Sequence, residues 1–87
     1  MALPLTLDPA TLRWVADDAV RDAEHLEVIA NDSAAVANAA DVGSRAQAMA
    51  RSLAHKAHEE AEKLRLRARR MRAIATRIET KRRKALA

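Results

Sequence analysis

The sequence predicts an all-α chain: an antiparallel hairpin of two long helices, over about residues 9–41 and 44–84, that self-associates into a four-helix or larger bundle. Three observations predict it. Alanine supplies 22 of the 87 residues, and alanine is the strongest helix former. The chain has one glycine, Gly43, and two prolines, both near the start, so breakers are confined to two places. Apolar and small residues recur at three-four spacing on both sides of Gly43, the period of one face of a helix.

The first helix has a start signal at Leu7-Asp8-Pro9-Ala10-Thr11-Leu12. Asp8 is placed as N-cap, Pro9 sits at the first helical position, and Leu7 and Leu12 are spaced as a hydrophobic staple. The stripe that follows is Leu12, Val15, Ala16, Ala19, Ala23, Leu26, Ile29, Ala30, Ala37 and Ala40. Asn31, Asp32 and Ser33 interrupt it with side chains that compete for backbone hydrogen bonds. The sequence leaves a kink there and an unbroken helix equally open.

The break comes at Asp41-Val42-Gly43-Ser44-Arg45-Ala46-Gln47. Gly43 suits a left-handed position after a helix end, and Ser44 with Gln47 matches a capping box. So short a connection turns the second helix back along the first. The second stripe is Ala46, Ala50, Leu53, Ala57, Ala61, Leu64, Ala68, Met71, Ala75 and Ile78. Its step from Leu53 to Leu64 to Ala75 is eleven residues, a spacing that predicts nearly straight pairing rather than a strict seven-residue repeat.

The organisation is a single hairpin domain over residues 1–87, with an N-terminal arm at 1–7 and a basic end at 81–87. Alanine buries little area, so the hairpin has a thin core, and a chain this small is marginal on its own. Self-association follows from that argument. Trp14, Val28, Leu53, Leu64, Met71 and Ile78 are the candidate interface residues. Trp14 lies off the apolar stripe; it packs either against the arm of Leu3, Leu5 and Leu7 or against another chain, since tryptophan is enriched at interface hot spots.

Charge divides the chain at the same glycine. Residues 1–44 carry eight acidic and two basic side chains, and residues 45–87 carry four acidic and fourteen basic, within a formal net charge of +4. Folding about Gly43 sets residue n near residue 86 − n, so Asp17, Asp18 and Asp22 lie beside the Leu64–Arg69 stretch and part of the basic charge is met internally. Lys81-Arg82-Arg83-Lys84 lies beyond the first helix with no acidic neighbour. Arg72, Arg77, Lys81, Arg82, Arg83 and Lys84 are therefore the candidate contacts for nucleic-acid phosphates or an acidic partner. Three readings of that end stay open: a solvated tail, nonspecific nucleic-acid contact, and an acidic protein or membrane surface.

Other chemistry finds little support. With no Cys, Tyr or Phe, thiol chemistry and base-stacking tyrosines or phenylalanines are excluded. No P-loop, nucleophile elbow or dinucleotide fingerprint occurs, and a non-enzymatic protein without cofactor is expected. His55/Glu59 and His58/Glu62 are four apart and able to share an ion. They point away from the apolar stripe, so helix-stabilising pairs are expected there and no metal. Residues 1–7 lack the basic and long apolar parts of a secretory signal, and no apolar run is long enough to span a membrane. A soluble cytoplasmic or virion-associated protein is the expectation.

The run Asp8-Pro9-Ala10-Thr11-Leu12-Arg13-Trp14-Val15-Ala16-Asp17 resembles the opening of short uncharacterised α-helical proteins of actinobacterial phages and their hosts. The resemblance implies a phage-type accessory protein and assigns no role. The sequence-based expectation for function is an oligomeric hairpin that presents its basic C-terminal helix to nucleic acid or an acidic protein. The alternative is a structural or assembly component, such as a small virion or scaffold protein, packed in a larger array.

Overall fold

The computed structural model describes residues 8–86. They form two helices, α1 (Pro9–Ala39) and α2 (Arg45–Leu86), packed against each other along the length of α1 as an antiparallel hairpin. The body measures 65 × 29 × 14 Å. The N-terminal arm, the Leu7 staple and any contact of Trp14 with Leu3, Leu5 or Leu7 lie outside the described residues.

Local chemistry accounts for both helix starts. The Asp8 side chain accepts from the Ala10 backbone N–H (3.3 Å) and the Thr11 hydroxyl (3.2 Å), with Pro9 next in line. At α2 the Ser44 hydroxyl accepts from the Gln47 N–H (3.1 Å), while the Gln47 side-chain oxygen accepts from the Gly43 N–H (2.9 Å). This is the expected capping box reaching one residue further back. Gly43 has φ +78°, the left-handed conformation that reverses the chain. Gln47 is buried and also donates through Nε2 to the Ala37 carbonyl (3.3 Å), so it satisfies an orphan carbonyl in the last turn of α1. One side chain thus ties both helices to the turn.

Helix α1 runs unbroken through Asn31, Asp32 and Ser33. Ser33 is buried toward α2 while Asn31 and Asp32 are exposed. The helix ends at Ala39 rather than near 41, where Ala40 leaves helical geometry and closes onto the Val36 carbonyl. Helix α2 continues to Leu86, past the expected 84, because nothing in Lys81–Leu86 stops it.

The seam is built almost wholly of alanine. Ala16, Ala19, Ala23, Ala30 and Ala37 are buried on α1, and Ala57, Ala61, Ala68 and Ala75 on α2; no large side chain is fully buried. Val20, Leu64 and Met71 pack against the centre formed by Ala16, Ala19 and Ala68. The buried positions recur every seven residues: 16, 23, 30 and 37 on α1, and 61, 68 and 75 on α2. This overturns the eleven-residue phase expected from Leu53, Leu64 and Ala75, because Leu53 is 53% exposed and Ala46 is exposed as well. Small side chains let the two backbones approach, so alanine positions set the phase and larger residues fall to the seam's edges.

Candidate interaction surfaces

The seven-residue rhythm gives the hairpin two unlike flanks. On one flank α1 presents Arg13, Val20 and Glu27, and α2 presents His58, Arg65, Arg72 and Glu79. Ion pairs cross between the helices there, Arg13–Glu79 (2.5 Å), Asp17–Arg72 (2.7 Å) and Glu27–Arg65 (3.5 Å), and Glu27 also lies within hydrogen-bond distance of His58 Nδ1 (3.0 Å). Arg13 also donates to the Thr76 hydroxyl (3.1 Å). Together with the Gln47–Ala37 bond, these contacts set residue n opposite about residue 88 − n, two residues from the register expected by simple folding.

Glu79 is held below its usual carboxylate range, first by the hydrogen bond from Arg13. Desolvation opposes the shift, and the charges of Arg13, Arg83 and Arg82 add to it. Its partner Arg13 is raised for the reciprocal reason. Glu27, His58 and Glu62 also converge, with one ligand atom from each lying within 4.8 Å of the others. Helix spacing alone joined His58 to Glu62; the hairpin adds Glu27. The Arg65 guanidinium lies 3.2 Å from Glu62 and 3.5 Å from Glu27. It supplies the countercharge to both carboxylates, which makes the group a cross-helix ion network. His55 and Glu59 form a separate, exposed pair at 3.4 Å.

On the opposite flank α1 presents Val15, Asp22, Ile29 and Val36, and α2 presents Leu53, Glu60, Arg67 and Ile74. No ion pair crosses between the helices there among the described residues. Ile29, Val36, Leu53 and Ile74 are all exposed.

The six basic residues singled out from the sequence divide accordingly. Arg72 is engaged by Asp17. Arg77 and Lys81–Lys84 are exposed and form no ion pair among the described residues. Because α1 begins level with about residue 79, the last residues of α2 project about 10 Å past it. Arg67, which simple folding sets beside Asp17, Asp18 and Asp22, and Arg70 three residues on are likewise exposed and unpaired within the described residues. Their spacing of three and seven from Arg70 to Arg67 and Arg77 is the signal that places all three along one side of α2. A shallow depression lined by Lys63, Leu66, Arg67 and Arg70 runs along that side.

The candidate interface residues also separate. Leu64 and Met71 are half-buried in the seam, and Ile78 is half-buried further along α2. Trp14 (62% exposed) and Val28 face away from α2, and Val28 shares a second shallow depression with Arg21, Glu24 and His25. Among the described residues no helix is long and apolar enough to cross a membrane. Comparison with known proteins finds no matching family model, no similar curated protein and no similar solved structure.

Proposed function

We propose that this chain is a non-enzymatic, oligomeric hairpin that presents its basic C-terminal helix to nucleic-acid phosphates, in the cytoplasm or within a virion. The observation that carries the reading is the projecting end of α2. Lys81, Arg82, Arg83 and Lys84 stand exposed beyond the start of α1, with Arg77 one turn before them. A cluster of cations outside the reach of the acidic helix meets phosphates through charge alone and reads no sequence.

Replacing Lys81, Arg82, Arg83 and Lys84 together by Ala tests this on duplex DNA. The parent chain is expected to bind at low salt and to lose affinity steeply as salt rises. The variant's log–log salt slope should be shallower by up to about 3–4, at roughly 0.9 for each phosphate that the side chains no longer neutralise. Unchanged retention at low salt would exclude the basic end as the DNA-binding element. An acidic protein partner would show the same dependence on these four residues without DNA binding.

A second reading is favoured by the alanine seam, which buries no large side chain: a structural or assembly component, of the small phage type, whose hairpin packs in a larger array. Assemblies that persist when Lys81–Lys84 are removed, with no nucleic-acid binding by either form, would select it.

A further inference from the structure

We infer that the flank bearing Ile29, Val36, Leu53 and Ile74 receives a second copy of this chain, related by a two-fold axis parallel to the hairpin, so that α1 of each copy lies over α2 of the other. This deepens the oligomeric reading above and rests on it.

The first argument is apolar area. The exposed large apolar residues of the overlapping helices divide between this flank and the outward backs of the helices; none lies on the ion-paired flank. Val36 and Leu53 lie at one height near the turn, Val15 and Ile74 at one height near the open end, and Ile29 between them, by the register of the cross-helix contacts. The strip where the helices overlap is about 45 Å long and two helices, or about 20 Å, wide. That is about 900 Å² per copy, comparable with the ~800 Å² per partner of a stable interface. Ile29, Val36, Leu53 and Ile74 keep between 39% and 58% of their surface exposed in one chain, and a second copy covers it.

Charge selects the occupant and its orientation. Along this side α1 carries Asp18, Asp22 and Asp32, while α2 carries Lys56, Lys63, Arg67, Arg70 and Arg77 beside a single acid, Glu60, which pairs with Lys63 on its own helix. Asp22, Asp32, Lys56, Arg67, Arg70 and Arg77 have no ion-pair partner among the described residues. A two-fold parallel to the helices sets residue n of α1 level with about residue 88 − n of the other copy's α2. Asp18 then meets the height of Arg70, Asp22 that of Arg67, and Asp32 that of Lys56. A two-fold perpendicular to the helices brings the same apolar heights together but lays α2 over α2, basic against basic, which costs affinity. The parallel axis also makes every neighbouring helix pair antiparallel and puts both Lys81–Lys84 ends at one end of the four-helix body.

The chain has no cysteine, so single cysteines map the arrangement without background. Light scattering on the eluting peak should give twice 9.6 kDa, and Val36→Cys should cross-link to itself with a short bis-maleimide. In the perpendicular arrangement the two copies of residue 36 lie about 35 Å apart, and cross-linking requires mixing Val36→Cys with Val15→Cys. The paired substitution Ile29→Lys with Leu53→Lys should halve the mass while far-ultraviolet dichroism stays helical. A monomeric parent chain, an unchanged mass in a helical double variant, or cross-links only in the mixed cysteine sample would each overturn the inference. Should the double variant fail to fold, the parent mass and the Val36→Cys result still decide. A monomer that binds DNA through Lys81–Lys84 would refute this pairing and spare the nucleic-acid reading; a cross-linking dimer that ignores DNA would do the reverse.

Discussion

The two flanks of the hairpin share one alanine seam and one backbone register, yet they use their charges differently. On one flank Arg13, Glu27, Arg65, Arg72 and Glu79 meet partners on the opposite helix. On the other, Asp22, Glu60 and Arg67 stand among exposed Ile29, Val36, Leu53 and Ile74 with no pair across the helices. Exposed ion pairs contribute only about 0–1 kcal/mol each, so the paired flank fixes which residues lie opposite rather than how tightly the helices hold. The difference shows that a basic half-chain is not a uniform basic surface: its cations are allotted by helix face, and only some remain for an outside partner.

Breaking the seam should erase both flanks together and have the largest effect. Ala61 is fully buried with α1 packed over it. Ala61→Leu inserts a branched side chain where the helices touch, and overpacking of this kind costs about 1–3 kcal/mol. In so small a chain that is a large share of the total stability. Thermal unfolding followed by dichroism should show the midpoint fall by many degrees. A midpoint within error of the parent would mean that the helices do not meet at Ala61, and the assignment of both flanks would fall with it.

That seam also marks where the sequence is legible and where it is not. The ends of the helices are readable because capping is local: Asp8 and Pro9 at one start, and Gly43, Ser44 and Gln47 at the turn, act within four residues of chain. The phase of the stripe is not, because the leucine spacing points to Leu53. The side chains small enough for close approach set the phase instead, and Leu53 is displaced to the edge. The allotment of cations is hidden for a related reason. Along the chain Arg72 looks free and Arg67 neutralised; the register puts Asp17, a residue from the far end of the chain, beside Arg72. The Gln47 bond to the Ala37 carbonyl and the approach of Glu27 to His58 and Glu62 likewise depend on the other helix. No spacing along one helix reveals them.

A smaller effect should separate the flanks directly. Glu27 is half-buried and pairs across the seam with both His58 and Arg65, whereas Glu60 pairs only with Lys63 on its own helix. Glu27→Gln is expected to cost about 0.5–1 kcal/mol and Glu60→Gln about 0.3 kcal/mol or less, in urea melts at low salt. Both differences should shrink as salt is added. Equal costs would remove the distinction between a cross-helix flank and an open one.

The smallest effect is the most specific in its direction. Glu79 is held below its ordinary value of 4.5 in the folded chain, chiefly by the Arg13 hydrogen bond. A carboxylate whose folded pKa lies below its unfolded one adds stability above the unfolded value, and that contribution is lost as pH falls through the folded one. The parent chain should therefore melt above Glu79→Gln at pH 7, and the gap should close as the pH drops below about 4.5. Taking the difference between the two proteins isolates the contribution of Glu79. Arg13→Ala should close the same gap at pH 7, since without the guanidinium the depressed carboxylate loses its main cause. A gap that persists unchanged into acid would show that Glu79 acts by packing, and the register of the paired flank would then rest on the Asp17–Arg72 and Glu27 contacts alone.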